Sequence, residues 1–193
     1  MLDHLKNRHI ILASQSPRRR SLLKHLGLEF TALSAEVDET IPADLTPDEI
    51  ARYLAEKKVS HFKDLLQDAH NIVITADTLV VADKHIIGKP SGKEEARQML
   101  RLLSGRKHQV VTGVTIRSNS KSVTFTDWSD VYFKALSEAE IEFYLEHFKP
   151  YDKAGAYGVQ EWIGYIGITR IDGSYFNVMG LPVHKLYEEL STF

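Results

Sequence analysis

Asp77 interrupts an otherwise apolar run, Ile72-Val-Ile-Thr-Ala-Asp-Thr-Leu-Val-Val81. A carboxylate buried there alone would be expensive, so it requires a cation, a metal or a hydrogen-bond donor beside it. Two readings follow. One is a metal ligand or general base fixed by a rigid strand; the other is a salt-bridged aspartate at a bulge or strand end. The uniform apolarity of the run favours the first, because perturbed carboxylates gather at reactive centres. A second chemically capable group is Arg18-Arg-Arg20, directly after Ser16-Pro17. Ser16 is a good helix N-cap and Pro17 suits the first helical position, which puts the arginines in a first turn already carrying partial positive charge. Such a turn is either solvated or relieved by an anion clasped by backbone donors and guanidinium forks.

Lone residues add to this set. Lys57 follows the inward stripe Ile50, Tyr53 and Leu54 on one helix face, where a lysine usually packs its stem and extends its ammonium to water, but also suits a cleft wall. Lys89, in Gly88-Lys-Pro90, sits on a constrained loop that serves equally as a phosphate contact or a plain turn. Glu39 is a second carboxylate for a hard divalent cation, which typically takes one or two carboxylates plus phosphate oxygens and water. The glycine-rich stretch Ala154-Gly-Ala-Tyr-Gly-Val-Gln160 lets a planar ring approach the backbone, and Gln160 offers a donor and an acceptor to its edge. These residues together suit a metal-assisted enzyme acting on a phosphate ester or anhydride.

The rest of the chain narrows the chemistry by exclusion. There is no cysteine, so disulfides, thiolate zinc sites and cysteine nucleophiles are ruled out. The nine histidines show no metal-binding spacing such as HExxH, and neither a Walker-type phosphate loop nor a GxGxxG fingerprint is present. A net charge of −2 gives no global basic field for nucleic acid, so the arginine cluster is a local device for a small anion. No apolar stretch reaches the roughly 18 residues of a membrane span, and the opening MLDHLKNRH lacks the apolar core of a signal peptide; a soluble cytoplasmic protein is expected.

The elements that position these residues alternate hairpins with helices. Strands are expected at His9–Ala13, at 30–37 and at Asn71–Ala82, with Ala82-Asp-Lys84 turning into a shorter apolar run within KHIIGKP, 84–90. Two further strands, at 108–118 and 122–135, form an antiparallel pair around Asn119-Ser-Lys121. Capping boxes at Thr46/Glu49, Ser91/Glu94 and Ser137/Glu140 start helices, the first running to about Leu66, and Pro182 opens a last one. Asp172-Gly173 suggests a tight hairpin turn. The order argues for a mixed sheet in an α/β (α+β mixed) layout, as one folding unit over 1–193.

In order along nearly the whole chain, the pieces LASQSPRRRSLL, VDE, EK, ADT, GKP, LSGRKHQVVTG, DKAGAYGVQ and GSYFNVMGLP resemble the Maf family. The resemblance implies a single Maf-like domain with a long mixed β-sheet and two lobes around a cleft, similar to inosine triphosphate pyrophosphatase, often as a homodimer. It implies a nucleoside triphosphate pyrophosphatase that cleaves between the α and β phosphates with a divalent metal, Mg²⁺ or Mn²⁺, and without nucleic-acid or membrane partners. Asp77 would then be the proton acceptor, with Ser14, Arg18, Arg19, Glu39, Lys57 and Lys89 in the substrate and metal site and Glu39 and Asp77 nearest the metal. Arg18, Thr78 and Gln160 match the dTTP/UTP type, where the 7-methyl-GTP type carries tryptophan, glutamine and glutamate. Arg20 has no matched role and is expected to be solvated. Glu161-Trp162 departs from the pattern, since a glycine is expected after Gln160. A nucleotide-binding regulator of septum formation or cell division without turnover is the alternative; an aspartate in an apolar strand is harder to justify there, because it repels phosphate unless a metal intervenes.

Overall fold

The computed structural model describes residues 2–35 and 37–193. Seven strands form one sheet in the order β2-β1-β3-β5-β6-β7, with β4 paired to β3. Two compact units are present, one of residues 1–77, 112–127 and 180–193, the other of 78–111 and 128–179. Among the described residues no helix is long and apolar enough to cross a membrane.

In the first unit, β1 (His9–Ala13) lies between β2 (Phe30–Leu33) and β3 (Asn71–Ala82), parallel to both, with Leu12 opposite Ala32 and Ile74. Leu12, Ile72, Val73 and Ile74 are fully buried. A buried Leu or Ile side chain contributes about 1.5–3 kcal/mol, so this strand pair is the rigid floor. α1 (Pro17–His25) begins as its sequence signals, with Ser16 Oγ accepting the Arg19 N–H at 3.4 Å. The strand expected over 30–37 stops at Leu33, and Glu36 lies outside the described residues.

α2 (Pro47–Val59) carries both halves of its capping box: Thr46 N–H donates to Glu49 at 2.8 Å and Glu49 N–H to Thr46 Oγ1 at 3.4 Å. It is shorter than expected, because after Val59 the backbone tightens into two single 3₁₀ turns, Ser60–Phe62 and Leu65–Gln67. Small residues let α2 press onto the sheet. Thr75 Oγ1 donates to the Ala55 carbonyl at 2.7 Å, and a Cβ on Gly113 would stand 2.1 Å from the Ala51 carbonyl oxygen. Glycine is therefore obligatory at position 113.

In the second unit, Asp83 and Lys84 take positive φ angles of 48° and 68° and turn β3 into β4 (His85–Ile87), the expected hairpin. α3 (Lys93–Leu103) lacks the expected Ser91/Glu94 box. Gly92 is its N-cap without a side-chain bond, and the Ser91 N–H and hydroxyl bond Glu95 instead, at 2.7 and 2.6 Å. After β5 (Lys107–Arg117) and β6 (Ser122–Phe133), α4 (Glu138–Phe148) starts from an intact Ser137/Glu140 box. Asp172-Gly173 is not a turn: a short helix, α5 (Trp162–Gly167), leads into β7 (Ile168–Gly173), which pairs antiparallel with β6, Asp172 opposite Asp130. The core here joins Leu100, Leu103, Val131, Ile141, Tyr144 and Ile163. The short α6 (Tyr175–Val178) belongs to this unit, whereas α7 (Val183–Ser191) closes the chain in the first.

Candidate active site

Asp77 follows from strand and helix periodicity. Residues two apart on a strand share a face, so Asp77 projects on the side where Thr75 meets Ala55. One helical turn beyond Ala55, on the same face of α2, is Lys58. Its ammonium bonds Asp77 Oδ1 and lies 2.9 Å from Glu39 Oε1. The Asp77 and Lys58 side chains are largely buried, at 13% and 16% exposure, whereas Glu39 is half exposed at 49%. One cation thus draws together a strand carboxylate and a loop carboxylate.

Lys57 points elsewhere. Successive residues on a helix diverge by about 100°, and Lys57 Nζ meets Asp38 Oδ2 at 3.0 Å and the Thr40 carbonyl at 3.1 Å, 5.6 Å from the centre of the Tyr53 ring. Its bonds are thus to the loop around Glu39 and not to Asp77 itself. Its partners flank Glu39, so it ties down the loop that presents that carboxylate. Hydrogen bonds from the Thr40 hydroxyl and amide, followed by Lys57, hold Asp38 down to about 2.

The end of β1 supplies the second group. Ser14 is buried just beyond the strand, and its Oγ accepts the Ser16 N–H at 3.2 Å and Arg19 Nη1 at 3.5 Å. Arg19 Nε donates to the Gly180 carbonyl at 2.7 Å. Burial lowers the Arg19 pKa, opposed by Asp77, reinforced by Arg18 and opposed again by Glu39; the guanidinium stays charged and lies within the field of both carboxylates. Arg18 is half-buried at the second position of α1. Arg20 is not merely solvated: its Nε and Nη2 donate to the Ser14 carbonyl at 3.4 and 3.3 Å. The cationic turn is thus partly relieved by carbonyl oxygens. The cluster lies just past the carboxyl end of β1, where β3 runs on beyond its pairing with β1, the customary ligand end of an open α/β sheet.

Thr78, Lys89 and Gln160 belong to the second unit. Thr78 is half-buried and Lys89 exposed. Gln160 lies in a turn closed by the Glu161 N–H donating to the Gly158 carbonyl at 2.9 Å, and its Oε1 is buried with no hydrogen-bond partner. Ahead of the turn, Gly155 and Ala156 adopt left-handed φ angles of 69° and 57°. His108 Nε2 lies 2.7 Å from the Tyr157 hydroxyl, and the two rings meet Phe133 edge to face. Burial pushes His108 down to about 4, against a slight upward pull from Asp130, and pushes the Tyr157 phenol up.

The family model for Maf-like proteins matches residues 9–193. The chain belongs to the Maf family. A Porphyromonas gingivalis (strain ATCC 33277) protein named dTTP/UTP pyrophosphatase is 52% identical over 196 residues, covering 100% of this chain and 98% of its own. A Bacteroides thetaiotaomicron protein of the same name is 49% identical over 191 residues, covering 98% of each chain. Among solved structures, the Staphylococcus aureus Ham1 protein matches 65% of this chain and 72% of its own at 16% identity and a TM-score of 0.46.

Within this Maf chain the sequence reading missed Lys58 and the Gly180 carbonyl. Lys58 was discoverable: it is three, four and seven residues from Ala55, Leu54 and Ala51, all buried, so counting the alanines as core moves the stripe's centre from Lys57 to Lys58. No local signal marks the Gly180 carbonyl. Glu39 and Asp77 fit a hard divalent cation, being oxygen donors already gathered around a positive charge. Among the described residues no group of three or more His, Cys, Asp or Glu side chains could hold a metal, so phosphate oxygens and water would have to complete its shell.

Proposed function

We propose that this chain hydrolyses dTTP and UTP to the nucleoside monophosphate and pyrophosphate. The observation that carries the chemistry is Lys58 bridging Asp77 and Glu39, with Arg19 in the same field; the full-length likeness to proteins named dTTP/UTP pyrophosphatase supports the substrate. A nucleoside triphosphate brings about four negative charges, and its in-line displacement gains mainly from positioning and electrostatic stabilisation. Arg18, Arg19 and Lys89 bind phosphate oxygens, while Ser14 holds Arg19 in place. Asp77 accepts the proton of the attacking water, and Lys58 keeps its carboxylate beside Glu39. Glu39 and Asp77 would hold a divalent cation, Mg²⁺ or Mn²⁺, which when bound neutralises phosphate oxygens and lowers the pKa of water. Arg18, Thr78 and Gln160 select the pyrimidine. The proposal extends to one Maf-like domain over 1–193, acting as a cytoplasmic homodimer.

Incubation with dTTP, UTP, CTP, GTP or 7-methyl-GTP and Mg²⁺ or Mn²⁺, with product identification, tests this. Monophosphate and pyrophosphate from dTTP and UTP are expected. Orthophosphate and diphosphate would overturn the reaction, a purine substrate outcompeting both pyrimidines would overturn the specificity, and tight binding without turnover would favour a nucleotide-binding regulator of cell division.

A further inference from the structure

Glu161 is the N-cap residue of α5, yet its carboxylate makes no bond to that helix. It turns back instead. It accepts the Tyr144 hydroxyl, while Lys153 Nζ lies 3.0 Å from its Oε1. The same Tyr144 hydroxyl accepts the Gly158 N–H at 3.0 Å. Gly158 and Glu161 are the first and last residues of the turn that holds Gln160, so one fully buried tyrosine ties both ends of it. The far side is closed too: a Cβ on Gly164 would stand 1.9 Å from the Val159 carbonyl oxygen, so α5 rests directly on the turn.

The turn brings two side chains together. The position a Gly158 Cβ would occupy is 3.0 Å from Glu161 Oε2 and 3.1 Å from Gln160 Nε2. A Cβ there would meet the ends of both side chains, so the carboxylate and the amide border one small space. A carboxylate attracts an NH₂ group and repels a carbonyl, so it gives the Gln160 amide a preferred direction: Nε2 towards Glu161, Oε1 away from it. Oε1 is also the buried acceptor without a partner, and such an atom is destabilising until a donor reaches it.

The direction of the amide matters chemically. Thymine and uracil present an N3–H donor beside a carbonyl acceptor, whereas cytosine presents an N3 acceptor beside an amino donor. A glutamine free to rotate its amide by 180° satisfies either edge. With the base held in one position, a carbonyl fixed opposite N3 accepts the N3–H of thymine and uracil but faces the lone pair of cytosine N3.

We propose that Glu161, braced by Tyr144 and Lys153, is a positioning residue that fixes the Gln160 amide and so selects thymine and uracil over cytosine. This rests on Gln160 reading the base, as in the proposed function. The test compares kcat/KM for dTTP, UTP and CTP in wild type, Glu161→Gln, Glu161→Asp, Tyr144→Phe and Gln160→Ala, with thermal melts to establish folding. Glu161→Gln keeps the size but removes the charge, and the dTTP/CTP ratio should fall about tenfold, the equivalent of ~1.4 kcal/mol. Tyr144→Phe frees the carboxylate and should lower the ratio about threefold, while Glu161→Asp, which retains the charge, should recover much of it; a purely structural role would lower all three rates together. If Gln160→Ala abolishes discrimination while Glu161→Gln and Tyr144→Phe both leave it intact, the inference is overturned. If Gln160→Ala itself leaves discrimination intact, Gln160 does not read the base, and that reading falls along with the inference.

Discussion

Each unit sets a largely buried lysine between two carboxylates, and the two arrangements differ in what else holds them. In the first unit Lys58 bridges Asp77 and Glu39, groups delivered by a strand and an exposed loop. In the second, Lys153 bridges Glu161 and Asp152, but Glu161 also accepts the Tyr144 hydroxyl, which in turn accepts the Gly158 amide. The second arrangement is a strut whose members constrain one another. The first joins a strand to an exposed loop through the Lys58 ammonium, with the Arg19 guanidinium in the same field, so a ligand's charges can exchange with it. A buried ion pair contributes little net stability by itself, because desolvation offsets attraction; the contrast is between a pair braced into the backbone and a pair left adaptable.

The largest expected effect lies in the adaptable pair. Asp77→Asn preserves shape but cannot accept a proton, so kcat should fall about 10³-fold, within the range for loss of a general base. Nucleotide binding and the melting temperature should change little, because Lys58 retains Glu39. Steady-state kinetics with a nucleotide-binding titration would check this; near-normal turnover would remove Asp77 from the reaction, and a collapse of stability would make it a strut like Glu161.

The second unit should show its dependence on buried, uncharged polar groups in its response to acid. Burial holds His108 neutral down to about 4, whereas an ordinary histidine titrates at 6.5. Between those values the unfolded chain takes up a proton that the folded chain refuses, so stability is present above pH 6.5 and falls as pH drops towards 4. The loss is roughly 3 kcal/mol. His108→Gln keeps a polar partner for Tyr157 without titrating, so the stability gap between wild type and variant, measured by urea unfolding, should narrow from pH 7 to pH 4. A gap that does not vary with pH would show that the fold does not lower the His108 pKa.

What the sequence made legible follows from the distance over which each feature is decided. The caps at Ser16, Thr46 and Ser137 were readable because donor and acceptor lie three residues apart. Asp77 stood out because a charge within an apolar strand is anomalous without any knowledge of its partner. Lys58 did not, because its significance depends on Ala55 meeting Thr75, a contact between residues twenty positions apart. The error at Ser91 was a one-residue shift, in which Glu95 rather than Glu94 returns to the serine. Asp172-Gly173 was misread because turn chemistry alone does not reveal that β6 offers a pairing edge. Arg20 is exposed as expected, but its bond to Ser14 was not legible because the acceptor is a carbonyl, which has no sequence signature.

The neighbouring lysines of α2 provide the smallest effects and separate contact from support. Lys58 touches both site carboxylates with its side chain only 16% exposed, so Lys58→Met leaves Asp77 and Glu39 facing each other without the ammonium between them. The loss should be about 10–100-fold in kcat/KM, since removing one partner of a buried charge pair typically costs 2 kcal/mol or more. Lys57 pairs with Asp38, whose side chain is 70% exposed, and such pairs are worth about 0.2–1 kcal/mol. Lys57→Met should therefore cost no more than about fivefold, and because Lys57 ties the loop on either side of Glu39, the loss should appear as a higher metal requirement rather than a lower rate at saturating metal. Parallel metal titrations of the two variants decide the matter: if Lys57→Met is the more damaging, the loop anchor outweighs the buried bridge, and the adaptable pair owes its geometry to the surface rather than to the strand.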